Sequence, residues 1–101
     1  MADSPELAER ILDCVASIPV GKVMTYGDVA EFTGASSPRI VGRVLSNDDG
    51  SVPWHRVLKA GGHLAPHLYT EQRQRLLSEG VRFRGDRVDL TAFRWDGRAH
   101  D

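Results

Sequence analysis

The chain has 101 residues, of which 41% are hydrophobic and one is cysteine, and its formal net charge at pH 7 is −1. The length predicts one domain over residues 1–101 with a single modest core, and the hydrophobic fraction excludes the disordered class of chains. Cys14 is the single cysteine, which excludes an internal disulfide and a multi-cysteine zinc site. Without a long apolar run or a signal-peptide pattern, we expect a cytoplasmic protein rather than a membrane protein. We also expect it to be a monomer.

The first predicted element is an amphipathic helix over residues 5–17. Ser4 is a typical N-cap, and Pro5 suits the first helical position because it has no N–H to leave unpaired. Apolar residues then recur at helical spacing, at Leu7, Ile11, Val15 and Ile18. Pro19 and Gly21 cannot continue the helix, so a turn is expected over residues 18–24.

Two short helices follow, joined by a turn that contains glycine. Thr25 and Asp28 form a capping-box-like pair for a helix over Tyr26–Thr33, and Gly34 ends it. A third helix is expected from Pro38, after two capping serines, to about Ser46. This arrangement predicts a helix-turn-helix.

The third helix has two unlike faces. One is apolar and consists of Ile40, Val41, Val44 and Leu45. The other consists of Arg39, Gly42, Arg43 and Ser46, a composition that suits a DNA groove. Glycine inside a helix costs about 1 kcal/mol relative to alanine. Close approach of the helix to DNA would explain Gly42, and so would tight packing against another helix; the sequence leaves both open.

Charge is distributed unevenly along the chain. Residues 1–35 carry two cations and six anions, whereas residues 36–101 carry eleven cations and eight anions. Such asymmetry permits a basic face on a nearly neutral molecule, as DNA binding would require. It does not identify a DNA-binding protein by itself, because most charge clusters are solvated surface.

The second half of the chain predicts an extended segment, a turn and one more helix. Residues 53–58 are expected to be extended, and residues 59–63 contain two glycines and form a turn. A last helix is expected over Thr70–Glu79, with Leu76 and Leu77 facing inward and Gly80 ending it.

A small hairpin follows this helix. Residues 81–84 and 87–90 alternate in character around a Gly85-Asp86 turn, so the hairpin can serve as a wing. The tail, with Phe93 and Trp95, is expected to fold back on the body. The expected fold is mainly α, a winged-helix-like DNA-binding domain with a helix-turn-helix and a small β-hairpin.

Three strings in one order then carry a resemblance to a known family. They are Gly21–Ala30, Arg39–Arg43 and Pro53-Trp54-His55-Arg56-Val57, and Leu77–Gly80 also fits. The chain resembles, over residues 5–84, the C-terminal DNA-binding half of the O6-alkylguanine-DNA alkyltransferases. Trp54 stands where those enzymes have their acceptor cysteine, so the chain is most similar to the alkyltransferase-like branch of the family.

The resemblance implies roles for individual residues. It places Tyr26 beside a flipped nucleotide and makes Arg39 a finger that fills the gap in the base stack. The lesion pocket would comprise Tyr26, Pro53, Trp54 and Val57, with the carbonyl groups of Trp54 and Val57 facing the base edge. DNA-binding roles fall on Thr25, Arg39, Gly42, Arg43 and Ser46. Without the resemblance, Tyr26 and Trp54 could equally be core aromatics.

Support of the site is implied for four further residues: Asn47, His55, Arg56 and Glu79. Asn47 would brace the active-site turn, and Glu79 would pair with His55 directly or through water. The loop over residues 61–68 departs from the family, whose enzymes have a glycine-rich loop with tyrosine and serine there.

The expected function follows from the lack of an acceptor cysteine at position 54. An indole has no thiolate and cannot accept an alkyl group, so the resemblance implies a non-enzymatic protein that binds O6-alkylguanine in double-stranded DNA, without cofactor or metal. The spacing of His55, His63 and His67 lacks a carboxylate or cysteine partner for a metal. The resemblance implies transfer of the lesion to nucleotide excision repair proteins. Two alternatives remain, an alkyltransferase that uses Cys14 or another acceptor, and a winged-helix regulator that reads sequence in the major groove.

Overall fold

Helices dominate the computed structural model, which describes residues 4–98. Within that range the α-helices are α1 (Pro5–Ser17), α2 (Tyr26–Thr33), α3 (Pro38–Asn47), α4 (Tyr69–Ser78) and α5 (Leu90–Phe93). The short strands are β1 (Met24–Thr25), β2 (Val57–Leu58), β3 (Phe83–Arg84) and β4 (Arg87–Val88). Single 3₁₀ turns lie at Trp54–Arg56, Ala60–Gly62 and Pro66–Leu68. The predicted mainly α, winged-helix-like fold with a helix-turn-helix and a hairpin is confirmed.

The N-terminal helices begin and end where local chemistry requires. The Ser4 hydroxyl accepts a hydrogen bond from the Leu7 N–H at 3.0 Å. Thr25 and Asp28 form a reciprocal capping box, with both bonds at 3.0 Å. Gly34 ends α2 with a φ of +82°, a left-handed conformation that favours glycine. The predicted bounds of α1 and α2 are therefore confirmed.

Two clusters of buried side chains form the core. The larger lies among α1, α2 and α3 and includes Ile11, Val15, Val29 and Val41. The smaller lies between α4 and the hairpin and comprises Val23, Leu58, Leu64, Leu76, Val81 and Val88. The prediction that Leu77 faces inward is wrong: its side chain is 48% exposed. Gln72 and Leu76, four residues apart, define the inward face of α4, and Leu77 lies one residue outside it.

A parallel strand pair joins the two halves of the chain. Met24 pairs with Val57 and Thr25 with Leu58, so the start of α2 lies next to the turn that contains Trp54. The prediction of an extended segment over residues 53–58 is correct only for β2. The Arg56 N–H donates to the Pro53 carbonyl at 3.0 Å, which closes a helical turn before the strand begins.

The C-terminal segment differs from its prediction at one element. The hairpin is present, with Phe83 opposite Val88, but its second strand ends at β4 and Leu90 begins α5 instead. The Phe93 N–H donates to the Asp89 carbonyl at 3.1 Å, a helical bond that replaces strand pairing.

The tail does fold back on the body, as expected. Backbone bonds of 2.9 and 2.8 Å link Val23 to Phe93 and Trp95, and only 8% of Trp95 remains exposed. Arg94 also donates to both carboxylate oxygens of Asp28, at 2.9 and 3.1 Å. Over residues 4–98, no helix combines the length and apolarity that a bilayer crossing requires.

Candidate nucleic-acid interface

An open groove of about 720 Å³ lies between the helix-turn-helix and the turn after β2. Its walls are Thr25, Tyr26, Gly27, Pro38, Arg39, Gly42, Arg43, Lys59 and Ala60. The groove therefore brings together five residues with predicted DNA or lesion roles, although they come from two helices and a strand. Ser46 lies outside this lining, exposed one turn further along α3.

The two faces of α3 are as the sequence predicts. Val41 is fully buried and Val44 is 8% exposed, whereas Arg39 and Arg43 are exposed. A Cβ atom added at Gly42 would meet nothing within 4 Å. Packing against another helix therefore does not explain this glycine, which instead lines the open groove.

Tyr26 and Thr25 differ in what they can offer a ligand. Tyr26 is half-buried at the first position of α2, and burial raises the pKa of its hydroxyl, which remains a neutral hydrogen-bonding group. Thr25 is only 5% exposed, and its hydroxyl oxygen accepts the Asp28 N–H of the capping box. The contribution of Thr25 to the groove is therefore to position Tyr26.

A network centred on Glu79 holds the turn that carries Trp54. Glu79 Oε2 lies 2.7 Å from His55 Nε2, so the predicted pairing is direct. Arg56 donates to both Glu79 oxygens at 2.9 Å, and its Nη1 donates to the Ile18 carbonyl at 2.8 Å. Burial alone would raise the pKa of Glu79, but hydrogen bonds and charge from Arg56 and His55 lower it to about 2. The carboxylate thereby connects α1, the turn and the end of α4.

Gln72 is a supporting residue that the sequence did not reveal. It is 3% exposed, and its amide donates to the His55 and Val57 carbonyls at 3.1 and 3.0 Å. The Val57 carbonyl, which was expected to face a base edge, accepts one hydrogen bond from α4. A polar residue four positions before the buried Leu76 was the available signal, because an inward-facing amide needs partners.

Asn47 was expected to brace the turn that contains Trp54, and the structure shows no hydrogen bond between the two among residues 4–98. The Asn47 side chain is exposed at the end of α3. Asp48 stabilises the adjoining loop instead, accepting from the Gly50 and Ser51 N–H groups at 3.0 and 2.9 Å.

Trp54 is half-buried beside the groove and is not among the residues that line it. The edge of its ring system meets His55, with centroids 6.1 Å apart and planes at 88°. The Arg75 guanidinium lies 5.4 Å from its ring centroid, and Arg75 is itself paired with Glu71 at 2.7 Å. The indole is thus held by α4, with Pro53 half-buried before it and Val57 only 1% exposed after it.

Cys14 has none of the properties of a transfer nucleophile. It is 5% exposed inside α1 and its sulfur lies 4.0 Å from the Met24 sulfur. Burial raises the pKa of its thiol to about 11, so the thiolate is scarce at neutral pH. Nor does any group of three or more histidine, cysteine, aspartate or glutamate residues in the described range form a metal site.

Comparison with known proteins agrees with this architecture. Residues 6–81 match the family described as 6-O-methylguanine DNA methyltransferase, DNA binding domain. An Escherichia coli DNA base-flipping protein is 40% identical over 95% of this chain and 79% of its own length. Alkyltransferase-like protein 1 of Schizosaccharomyces pombe is also 40% identical, over 75% of this chain and 77% of its own.

Comparison with solved structures finds proteins of the same family. S. pombe Atl1 in complex with damaged DNA containing O6-carboxymethylguanine superposes with a TM-score of 0.82 and 30% identity, covering 94% of this chain and 99% of that one. Mycobacterium tuberculosis OGT in complex with DNA gives a TM-score of 0.66 and 28% identity, covering 76% of this chain and 51% of that one.

Proposed function

Because this chain belongs to the 6-O-methylguanine DNA methyltransferase DNA-binding family, in its alkyltransferase-like branch, we propose that it is a non-enzymatic sensor of O6-alkylguanine in duplex DNA. The observation that carries the proposal is the groove that joins Tyr26, Arg39 and Gly42 while an indole occupies the acceptor position. The chain has the groove that would bind DNA, but it lacks the cysteine that would accept the alkyl group.

Binding begins with α3 in the minor groove. Arg39 inserts into the base stack and Tyr26 presses the extruded nucleotide. Flipping a nucleotide costs a few kcal/mol, least for a damaged base, and an inserted arginine returns part of that cost by stacking and by contacting phosphates. The exposed position of Arg39 and the empty space at Gly42 support this mode, since neither residue has a packing role.

The lesion is held against Trp54. The β1–β2 pair supports this step, because it places the turn of Trp54 beside the start of α2, where Tyr26 lies. Base–aromatic stacking supplies about 1–3 kcal/mol per base. With Arg75 and His55 fixing its orientation, the indole is a preorganised surface that loses little freedom when a base arrives.

No alkyl transfer accompanies binding. The His55–Glu79 pair is intact, but Trp54 offers it no thiol to deprotonate. Cys14 is a buried thiol of raised pKa and cannot substitute. The protein acts as a cytoplasmic monomer, and because it cannot remove the lesion, it marks the site for nucleotide excision repair.

The deciding experiment is a binding titration with two matched duplexes, one of which carries a single O6-methylguanine. We expect tighter binding to the damaged duplex, with unchanged protein mass and an unchanged lesion after prolonged incubation. A protein mass increase of one methyl group would establish an alkyltransferase instead. Equal affinity for the two duplexes would favour the winged-helix regulator.

A variant of the finger tests the binding mode itself. Arg39→Ala should weaken lesion binding by about 1–3 kcal/mol through lost stacking and phosphate contacts. Its thermal midpoint should equal that of the parent, because the side chain is exposed. Unchanged lesion affinity in this variant would exclude insertion of Arg39.

A further inference from the structure

Exposed cations continue beyond the groove onto the β-hairpin. Arg84 and Arg87 stand on its two strands, and both side chains are exposed, that of Arg84 to 75%. Together with Gly61 they line a depression of about 360 Å³ on the outer side of the hairpin. Neither arginine takes part in the groove or in the Glu79 network, so the proposed function leaves both without a role.

The turn at residues 59–63 connects this depression to the groove. Its first two residues line the groove and Gly61 lines the depression. The turn is also fixed to the hairpin, because His63 forms a β-bridge with Arg87 and a Cβ atom added at Gly62 would lie 2.6 Å from the Val88 carbonyl oxygen. The turn therefore joins the cations that line the groove to those on the hairpin. This basic band comprises Arg39, Arg43, Lys59, Arg87 and Arg84.

The hairpin presents its arginines from a braced element. The Arg73 guanidinium lies 4.3 Å from the Phe83 ring centroid and donates to the Gly85 carbonyl at 3.4 Å. Asp89, the acidic residue of the depression, lies 3.3 Å from Arg84 Nε and is largely covered. The hairpin backbone that carries both arginines is therefore held in place, while the Arg84 side chain stays exposed.

We propose that Arg84 and Arg87 bind backbone phosphates of the duplex flanking the lesion, so that the hairpin is a second, sequence-independent DNA contact. The inference rests on the proposed function for the identity of the ligand. Arginine suits phosphate because its planar fork can donate two parallel hydrogen bonds.

The test compares two double variants that remove the same charge. Arg84→Gln with Arg87→Gln removes the hairpin end of the band, whereas Lys22→Gln with Arg98→Gln removes two cations from a different depression beside the tail. Each protein is titrated with damaged and undamaged duplexes of about 20 base pairs at several salt concentrations. The hairpin variant should bind both duplexes about tenfold more weakly, with a salt slope reduced by about 2.

Two comparisons separate a hairpin contact from a general loss of charge. The control variant should stay within about twofold of the parent on both duplexes. The ratio of damaged to undamaged affinity should remain that of the parent, because phosphate contacts carry no information about the base.

The hairpin contact and the proposed function would be contradicted by different results. If the hairpin variant binds the duplexes as tightly as the parent, or loses no more than the control, the hairpin contact is excluded. If the parent itself shows no preference for the lesion, the proposed function fails, yet the loss on undamaged DNA still decides the hairpin contact. Should the double variant melt early through loss of the Arg84–Asp89 pair, Arg87→Gln alone leaves that pair intact and should reduce the salt slope by about 1.

Discussion

Glu79 shows how one carboxylate can control the stability of the site. Its pKa is lowered from 4.5 to about 2, so its ionised form is preferred in the folded protein over the unfolded chain. A lowered folded-state pKa contributes stability that is complete above the unfolded pKa and is lost as pH falls toward the folded one. The Glu79 contribution should therefore disappear between about pH 4.5 and pH 2.

Urea unfolding of the parent and of Glu79→Gln tests this. At pH 7 the variant should be less stable by about 3 kcal/mol, because Arg56 and His55 lose the anion they share in a largely covered site. The difference between the two proteins should shrink toward zero as the pH approaches 2. A difference that stayed constant over that range would show that the Glu79 ionisation does not stabilise the fold.

Trp54 is the residue on which discrimination should depend. Trp54→Ala removes the stacking surface and leaves the groove lining intact, since Trp54 is not part of it. The variant should lose affinity for O6-methylguanine DNA by about 1–3 kcal/mol and lose much less for the undamaged duplex. Arg75→Gln, which removes the cation over the indole but not the indole itself, is the matched control and should have a smaller effect. Equal losses on both duplexes in Trp54→Ala would mean that the indole only supports the fold.

At the scale of the element, α3 carries opposite demands for stability and binding. Alanine at position 42 would meet no atom within 4 Å and would improve helix propensity by about 1 kcal/mol. Gly42→Ala should therefore raise the thermal midpoint and at the same time weaken DNA binding, because its methyl group projects into the groove. Ser17→Ala, at an exposed position of α1 outside the groove lining, is the control and should leave binding nearly unchanged. A more stable variant with unchanged affinity would show that the α3 backbone does not approach DNA at Gly42.

The elements predicted correctly from sequence are those with local signals. Ser4, the Thr25–Asp28 pair and Gly34 determine where α1 and α2 begin or end, and each acts within four residues of its partner. The β1–β2 pair and α5 were not predicted. A two-residue strand has no visible periodicity, and its partner lies some thirty residues away.

The site residues also fall into those that a local stretch of sequence identifies and those that only the folded chain reveals. The strings that contain Arg39 and Trp54 are contiguous, so a resemblance could identify them. The amide of Gln72 bonds to carbonyl groups 15 and 17 residues distant, and only the folded chain shows that contact. Asn47, which was expected to brace the turn of Trp54, lies exposed at the end of α3, and the bonds that Asp48 accepts hold its own loop.

At the scale of the whole molecule, α2, α3 and the turn over Trp54–Arg56 form one unit. The β1–β2 pair closes a loop that contains all of α2 and α3, while Arg56 ties the turn to the end of α1. Opening the pair should therefore release the helices as well. In native-state hydrogen exchange, slowly exchanging amides of α2, α3 and residues 54–58 should report the same opening free energy. Distinct values for the helices and the turn would indicate two separately folding parts.

The parallel pair also limits how such a protein could be engineered or diversified. A helix-turn-helix is often transplanted on its own, yet here the strand that precedes it pairs with the strand that follows the turn of Trp54. Grafting residues 38–47 alone would transfer the basic face without the geometry that aligns it with Trp54. A functional transplant must include both strands with everything between them, because the strand pairing keeps α2 and α3 in place relative to Trp54.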